Sequence, residues 1–160
     1  MFGPSITAAY ATQALVFLAR NGSAAQGAEA IASHAGVPRA YLRKILHALS
    51  GDGLVTTRRG YRGGYRLARS PETITLFDVL SAIDGTDTFE RCLLGLGKCS
   101  AKRGCPVHPL WSGHRKMMRT RYRELTLRDL SGFDRFDFER DYHFGCDGKW
   151  TVPASGRKDN

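Results

Sequence analysis

At 160 residues, 42% hydrophobic and 24% charged, the chain can bury one ordinary globular core with an appendage. No run approaches the roughly 20 apolar residues a membrane span needs, and the N-terminus lacks the basic segment and apolar run of a secretory signal. A cytoplasmic protein without membrane association is expected, and there four cysteines point to metal or redox chemistry before disulfides.

The net charge of +9 is unevenly spread. It is +7 over residues 1–70, +3 over 71–130 and −1 over 131–160. A basic N-terminal part favours a polyanion such as DNA or RNA as partner.

The first 20 residues read as a helix, with Ile6, Tyr10, Ala14 and Phe17 on one side and Asn21-Gly22 as its end. A short second helix runs from about Glu29 to Ala35, stopped by Gly36. Pro38 opens a third, where its missing N–H costs nothing. Leu42, Ile45, Leu46 and Leu49 give that helix a buried stripe, and Gly51 and Gly53 close it. Its outward side carries Arg39, Tyr41, Arg43 and Lys44. Helix, tight turn, helix is the plan of a helix-turn-helix, whose second helix lies in the major groove of double-stranded DNA, so these four side chains are expected to read bases or phosphates.

Leu54 to Thr57 and Tyr65 to Ala68 read as strands around the loop Arg58-Arg59-Gly60-Tyr61-Arg62-Gly63-Gly64. A glycine-rich basic hairpin after a helix-turn-helix makes a winged helix. Arg59 or Arg62 then follows a phosphate backbone or enters a minor groove. Thr75 and Asp78 start a fourth helix, with Leu76, Val79, Leu80 and Ile83 turned to the core.

Three thiols follow, Cys92, Cys99 and Cys105, with His108 three residues beyond the last. Gly95, Gly97 and Gly104 let the backbone bend, while Lys98, Lys102 and Arg103 favour thiolates. Thiolates select zinc or iron–sulfur clusters. Structural zinc usually takes paired C-x2-C knuckles, which are absent, and wider spacings suit a cluster. Zinc, a redox disulfide or free thiols stay open. Cys146 stands apart and reads as structural or incidental.

From Val107 to about Asp129 the pattern is helical, with Trp111, Met118, Tyr122 and Leu125 as a stripe suited to a symmetry mate. DNA readers of this kind usually dimerise on palindromic half-sites. The expected fold is therefore mainly α with a small β-wing. It divides into a winged helix-turn-helix domain over 1–84, a cysteine-rich cluster loop over 85–108, a dimerisation helix over 109–130, and an aromatic-rich extension of unknown role over 131–160.

In order, these pieces resemble the Rrf family of bacterial winged-helix transcription regulators, the group of IscR-, NsrR- and RirA-like proteins. Tyr41-Leu42, the wing run from Arg59 through Gly63-Gly64-Tyr65 to Arg69, and the cysteine triplet carry the resemblance, which covers about residues 1–130. It implies a homodimer joined through the long helix. It also implies a 2Fe–2S or 4Fe–4S cluster on Cys92, Cys99 and Cys105 that senses nitric oxide, redox state or iron, with repression as the expected mode. Cys105-x-x-His108 followed by Leu110-Trp111 is similar to the IscR arrangement and makes His108 the leading fourth ligand. Some nitric-oxide sensors instead take an acid from the first helix of the other subunit, but Thr7-Ala8-Ala9 offers no carboxylate. Where IscR-like members carry an acidic residue after Tyr-Leu, this chain has Arg43, which prefers guanine O6 and N7 and implies a different operator.

Two alternatives remain: the same winged helix with a Cys3His zinc site or thiol switch, and a small iron–sulfur electron carrier. An enzyme is not expected, because neither a phosphate-binding glycine loop after a strand nor a nucleophile elbow is present. His34, His47, His114 and His143 are scattered and read as surface or core residues.

Overall fold

The computed structural model describes residues 4–58, 60, 63–132, 143–144 and 150–151. Ser5 starts the first helix, α1 (Ile6–Arg20), its hydroxyl accepting the Ala8 N–H at 3.1 Å. Two helices follow: α2 (Ala28–Ala35), ended by Gly36 in the left-handed region at φ 67°, and α3 (Arg39–Gly51), with Pro38 as its N-cap. Leu42, Ile45, Leu46 and Leu49 are buried, as their spacing requires. They meet Ala11, Leu15 and Leu18 of α1 and Ile31 of α2 in one core.

The wing is the antiparallel pair β1 (Val55–Arg58) and β2 (Gly64–Leu67), in register Val55 to Leu67 and Arg58 to Gly64. It is pinned to the body where the Gln26 N–H donates to Tyr65 O at 2.8 Å and the Tyr65 N–H to Gln26 O at 2.9 Å. This pair of hydrogen bonds requires close backbone approach. A Cβ on Gly64 would lie 2.5 Å from Gln26 O, so only glycine fits.

Helix α4 (Leu76–Asp84) begins with a reciprocal capping box. The Asp78 N–H donates to Thr75 Oγ1, and the Thr75 N–H donates to Asp78 Oδ2. Two short 3-10 turns, Thr86–Glu90 and Ala101–Arg103, lead through the cysteine segment to α5 (His108–Glu124).

The helix expected to run on to about Asp129 ends instead at Glu124. Leu125 turns extended, and a separate helix α6 (Leu127–Ser131) follows, capped by a second box between Thr126 and Asp129. The break has a tertiary cause. The Leu76 N–H donates to Leu125 O at 2.8 Å and the Leu127 N–H to Ile74 O at 2.9 Å. These bonds pair the chain with the entry to α4 and bury Leu127 in the winged-helix core. Residues 125–131 therefore close the DNA-binding domain rather than prolong α5.

Backbone strands β3 (His143–Phe144) and β4 (Trp150–Thr151) pair antiparallel. Cys146 and most of the aromatic extension lie outside the described residues. Among the described residues, no helix is long and apolar enough to cross a membrane.

Candidate nucleic-acid interface and cysteine loop

Helix α3 turns its polar side outward because its leucines and isoleucine fix the other side in the core. Of the four predicted DNA contacts on it, two are held by their own chain. The Arg39 guanidinium lies 3.6 Å from Glu29. The Tyr41 hydroxyl shares a 2.5 Å hydrogen bond with Thr7, and its ring stands edge-on to Tyr10. Arg43 and Lys44 are exposed, as is His47 one turn beyond Arg43. In the wing, Arg58 and Arg66 are exposed, with Arg66 Nε donating to Thr56 Oγ1. The predicted wing contacts Arg59 and Arg62 lie outside the described residues.

The cysteine segment begins as a small hairpin. The Cys92 N–H donates to Gly97 O at 2.8 Å and the Cys99 N–H to Glu90 O at 3.1 Å, with Arg91 opposite Lys98. Gly95 and Gly97 turn it at φ 73° and 75°. This pairing sets Cys92 and Cys99 side by side. Backbone hydrogen bonds from Leu94 and Leu96, a hydrogen bond from Cys99 and the charge of Arg103 hold the Cys92 thiol below its ordinary value.

His108, at the start of α5, brings its Nδ1 to 3.1 Å from Cys99 Sγ. Cys105 joins through the backbone, its carbonyl accepting the His108 N–H at 3.0 Å. All three cysteines are free and half-exposed. Three thiols and an imidazole match an iron–sulfur cluster in kind. They are only partly gathered, since among the described residues no three Cys, His, Asp or Glu side chains converge tightly enough for a single metal ion.

Helix α5 clasps the start of this loop. The Trp111 indole N–H donates to Arg91 O at 2.9 Å, Arg115 donates to Phe89 O, and Arg119 lies 3.8 Å from Glu90. Trp111, Met118 and Tyr122 of the predicted dimer stripe line a cavity of about 600 Å³ together with Leu80, Phe89 and Cys92. Partial burial there pushes the Tyr122 phenol up. The fourth, Leu125, is exposed beyond the end of α5. The outer side of α5 exposes Leu110 and Met117, which sequence reasoning passed over although they stand seven residues apart.

Sequence reasoning also missed a connection between these two regions. Asp84, at the end of α4, accepts the Ser5 N–H at 2.9 Å and the Ser5 hydroxyl. Its carbonyl accepts the Thr88 hydroxyl at 2.8 Å on the way to the cysteine loop. Ser5 caps the helix whose Thr7 holds Tyr41. No local pattern marks Asp84, whose partner lies 79 residues earlier.

A family model described as Rrf2, an iron-dependent transcriptional regulator, matches residues 5–132. A protein of Aquifex aeolicus (strain VF5) named "Putative HTH-type transcriptional regulator" is 36% identical over 128 residues, 79% of this chain and 89% of its own. IscR of Escherichia coli, also named an HTH-type transcriptional regulator, is 31% identical over 122 residues, 76% of this chain and 75% of its own. Among solved structures, CymR, the global cysteine regulator of B. subtilis, superposes with a TM-score of 0.70 at 26% identity, covering 84% of this chain and 100% of that one. IscR of T. potens gives 0.63 at 26%, covering 80% and 85%. Helix-turn-helix, pinned wing and these matches lead to one conclusion: the chain belongs to the Rrf2 family and is a DNA-binding transcription regulator, not an enzyme.

Proposed function

We propose that this regulator is a homodimeric repressor whose affinity for a palindromic operator is set by an iron–sulfur cluster in its cysteine loop. The observation that carries the reading is the approach of His108 Nδ1 to Cys99 Sγ, beside the paired Cys92. Cys92, Cys99, Cys105 and His108 would hold the group. When bound, it supplies a centre that responds to nitric oxide, oxidant or iron supply. The family's description as iron-dependent supports this chemistry.

The protein's own residues carry the signal onward. Ordering of the loop fixes Thr88 and Asp84, Asp84 holds Ser5, and Ser5 sets the first turn of α1, where Thr7 meets Tyr41 on α3. A factor of roughly 100 in operator affinity needs about 2.7 kcal/mol of coupling. Arg39 and Tyr41 position the helix, Arg43 and Lys44 meet DNA, and Arg59 and Arg62 anchor the wing.

Helix α5 has no fully buried residue, which supports a partner helix against it. Leu110 and Met117 join Trp111, Met118, Tyr122 and Leu125 as interface residues in this reading. Sedimentation of the full chain tests it: a dimer that Met117→Lys dissociates supports the face, and a monomer at all concentrations opposes it.

A thiol switch without a cluster is the second reading, favoured by the Cys92–Cys99 hydrogen bond. Anaerobic purification separates the two. A brown protein holding iron and sulfide, bleached by replacing Cys92, Cys99 or Cys105, supports the cluster. A colourless protein that resists reconstitution opposes it, and one zinc per chain then selects a Cys3His site.

A further inference from the structure

Four positions of α3, Ala40, Arg43, Lys44 and His47, are exposed and follow one another at helical steps of three, one and three. They form a single outward stripe. The opposite side is locked, because Leu42, Ile45, Leu46 and Leu49 are buried in the main core, so the stripe cannot rotate away. Arg39 and Tyr41 flank it but are engaged by Glu29 and Thr7. No hydrogen bond or ion pair joins Arg43, Lys44 or His47 to another described residue. Their polar groups can meet an outside ligand without giving up a contact to any described residue.

We infer that His47 is a second base-reading residue, directed at a purine N7 in the major groove, beside a guanine taken by Arg43. The inference rests on α3 being the reading helix. Chemistry separates these three groups. The Arg43 guanidinium is a planar fork that matches O6 and N7 of one guanine. Lys44 is a flexible point charge and suits phosphate, which carries no sequence information. The His47 imidazole presents an N–H donor in either tautomer and in the protonated form, and N7 of either purine accepts it.

With α3 lying along the major groove, its rise sets where that purine lies. Four residues along a helix advance about 6 Å, against about 3.4 Å per base pair, so the two contacted bases stand roughly two steps apart. Ala40 completes the stripe with a methyl group small enough to let the helix enter, and it can rest on a thymine methyl. The site is thus a half-site with a guanine and a second purine at fixed separation.

The test selects binding sequences from a random double-stranded DNA pool with the full chain, purified anaerobically and again after iron removal. His47→Ala and Arg43→Ala are run in parallel. The unsubstituted chain is expected to enrich two purine positions about two steps apart in each half-site. His47→Ala loses about tenfold preference at one of them only, and Arg43→Ala loses the guanine. His47→Gln supplies a positive readout, since glutamine pairs with adenine N6 and N7 and shifts that position towards adenine. Lys44→Ala weakens binding to all sequences alike. An unchanged consensus from His47→Ala, with the unsubstituted chain selective, overturns the inference alone. Failure of the unsubstituted chain to enrich any sequence in either preparation overturns it together with the assignment of α3 as reader.

Discussion

Thr7 in the first turn of α1 and Tyr41 in the first turn of α3 share a 2.5 Å hydrogen bond between their hydroxyls. Two residues earlier, Ser5 is bound through its N–H and its hydroxyl to the Asp84 carboxylate. One helix start therefore touches both the end of α4, which leads into the cysteine loop, and the proposed DNA-reading helix α3. Asp84→Asn keeps the shape and removes the charge-assisted bond, while Tyr41→Phe removes the far end of the chain. Each is expected to shrink the difference in operator affinity between iron-loaded and iron-free protein. Asp84→Asn should also lower stability by about 1–2 kcal/mol. Titration of operator DNA in both states checks the first effect and urea unfolding the second; an unaltered ratio in both variants would remove this connection from the account.

Gly64→Ala should displace the wing. Its Cβ would sit 2.5 Å from the backbone oxygen of Gln26, an atom that cannot swing aside as a side chain can. The expected cost is about 1–3 kcal/mol of stability, with loss of the paired bonds between Gln26 and Tyr65. Hydrogen exchange at Tyr65 measures the second effect directly. Protection equal to that of the parent chain would mean that the strand tolerates the methyl group.

The proposed phosphate contacts of the wing carry a salt signature. Arg59→Ala should weaken operator binding and flatten the plot of log affinity against log salt by about one unit, as loss of one phosphate contact requires. Binding constants at four or five salt concentrations suffice. An unchanged slope would take Arg59 off the phosphate backbone.

Asp129 provides a pH signature for the closing turn of the fold. The Thr126 backbone N–H donates to it at 2.8 Å and the Thr126 hydroxyl at 2.7 Å, and these bonds hold the carboxyl below its ordinary value. A depressed carboxyl stabilises the fold above its unfolded pKa, and that contribution disappears as pH falls through the lower folded value. Asp129→Asn should therefore melt below the parent chain at neutral pH, and the gap should narrow as the solution is acidified below the usual carboxylate range. Thermal unfolding at neutral and acidic pH reads the gap, and a difference independent of pH would contradict the linkage.

Much of this architecture was legible in the sequence because its signals are local. Leu42, Ile45, Leu46 and Leu49 define α3 through spacing alone, and Thr75 with Asp78 marks the start of α4. The break after Glu124 was not read, since Met118, Tyr122 and Leu125 continue at helical steps of four and three past the end of α5. The pattern Thr126-x-x-Asp129 repeats the one at Thr75 and could have revealed it. What decides the break, the pairing of Leu125 and Leu127 with residues 74–76, is tertiary and leaves no local mark. In the cysteine loop, residue types pointed to thiolate chemistry, but the meeting of Cys99 with His108 depends on how α5 docks. The bond of Ser5 to Asp84 spans most of the domain and was invisible for the same reason.

The central claim is that the state of the cysteine loop sets DNA affinity. Its most direct test is the dissociation constant for a selected operator, measured anaerobically on one preparation before and after iron removal. The account predicts a change of about 100-fold, abolished in Cys99→Ala, at an unchanged oligomeric state. Equal affinities for iron-loaded and iron-free protein would contradict it.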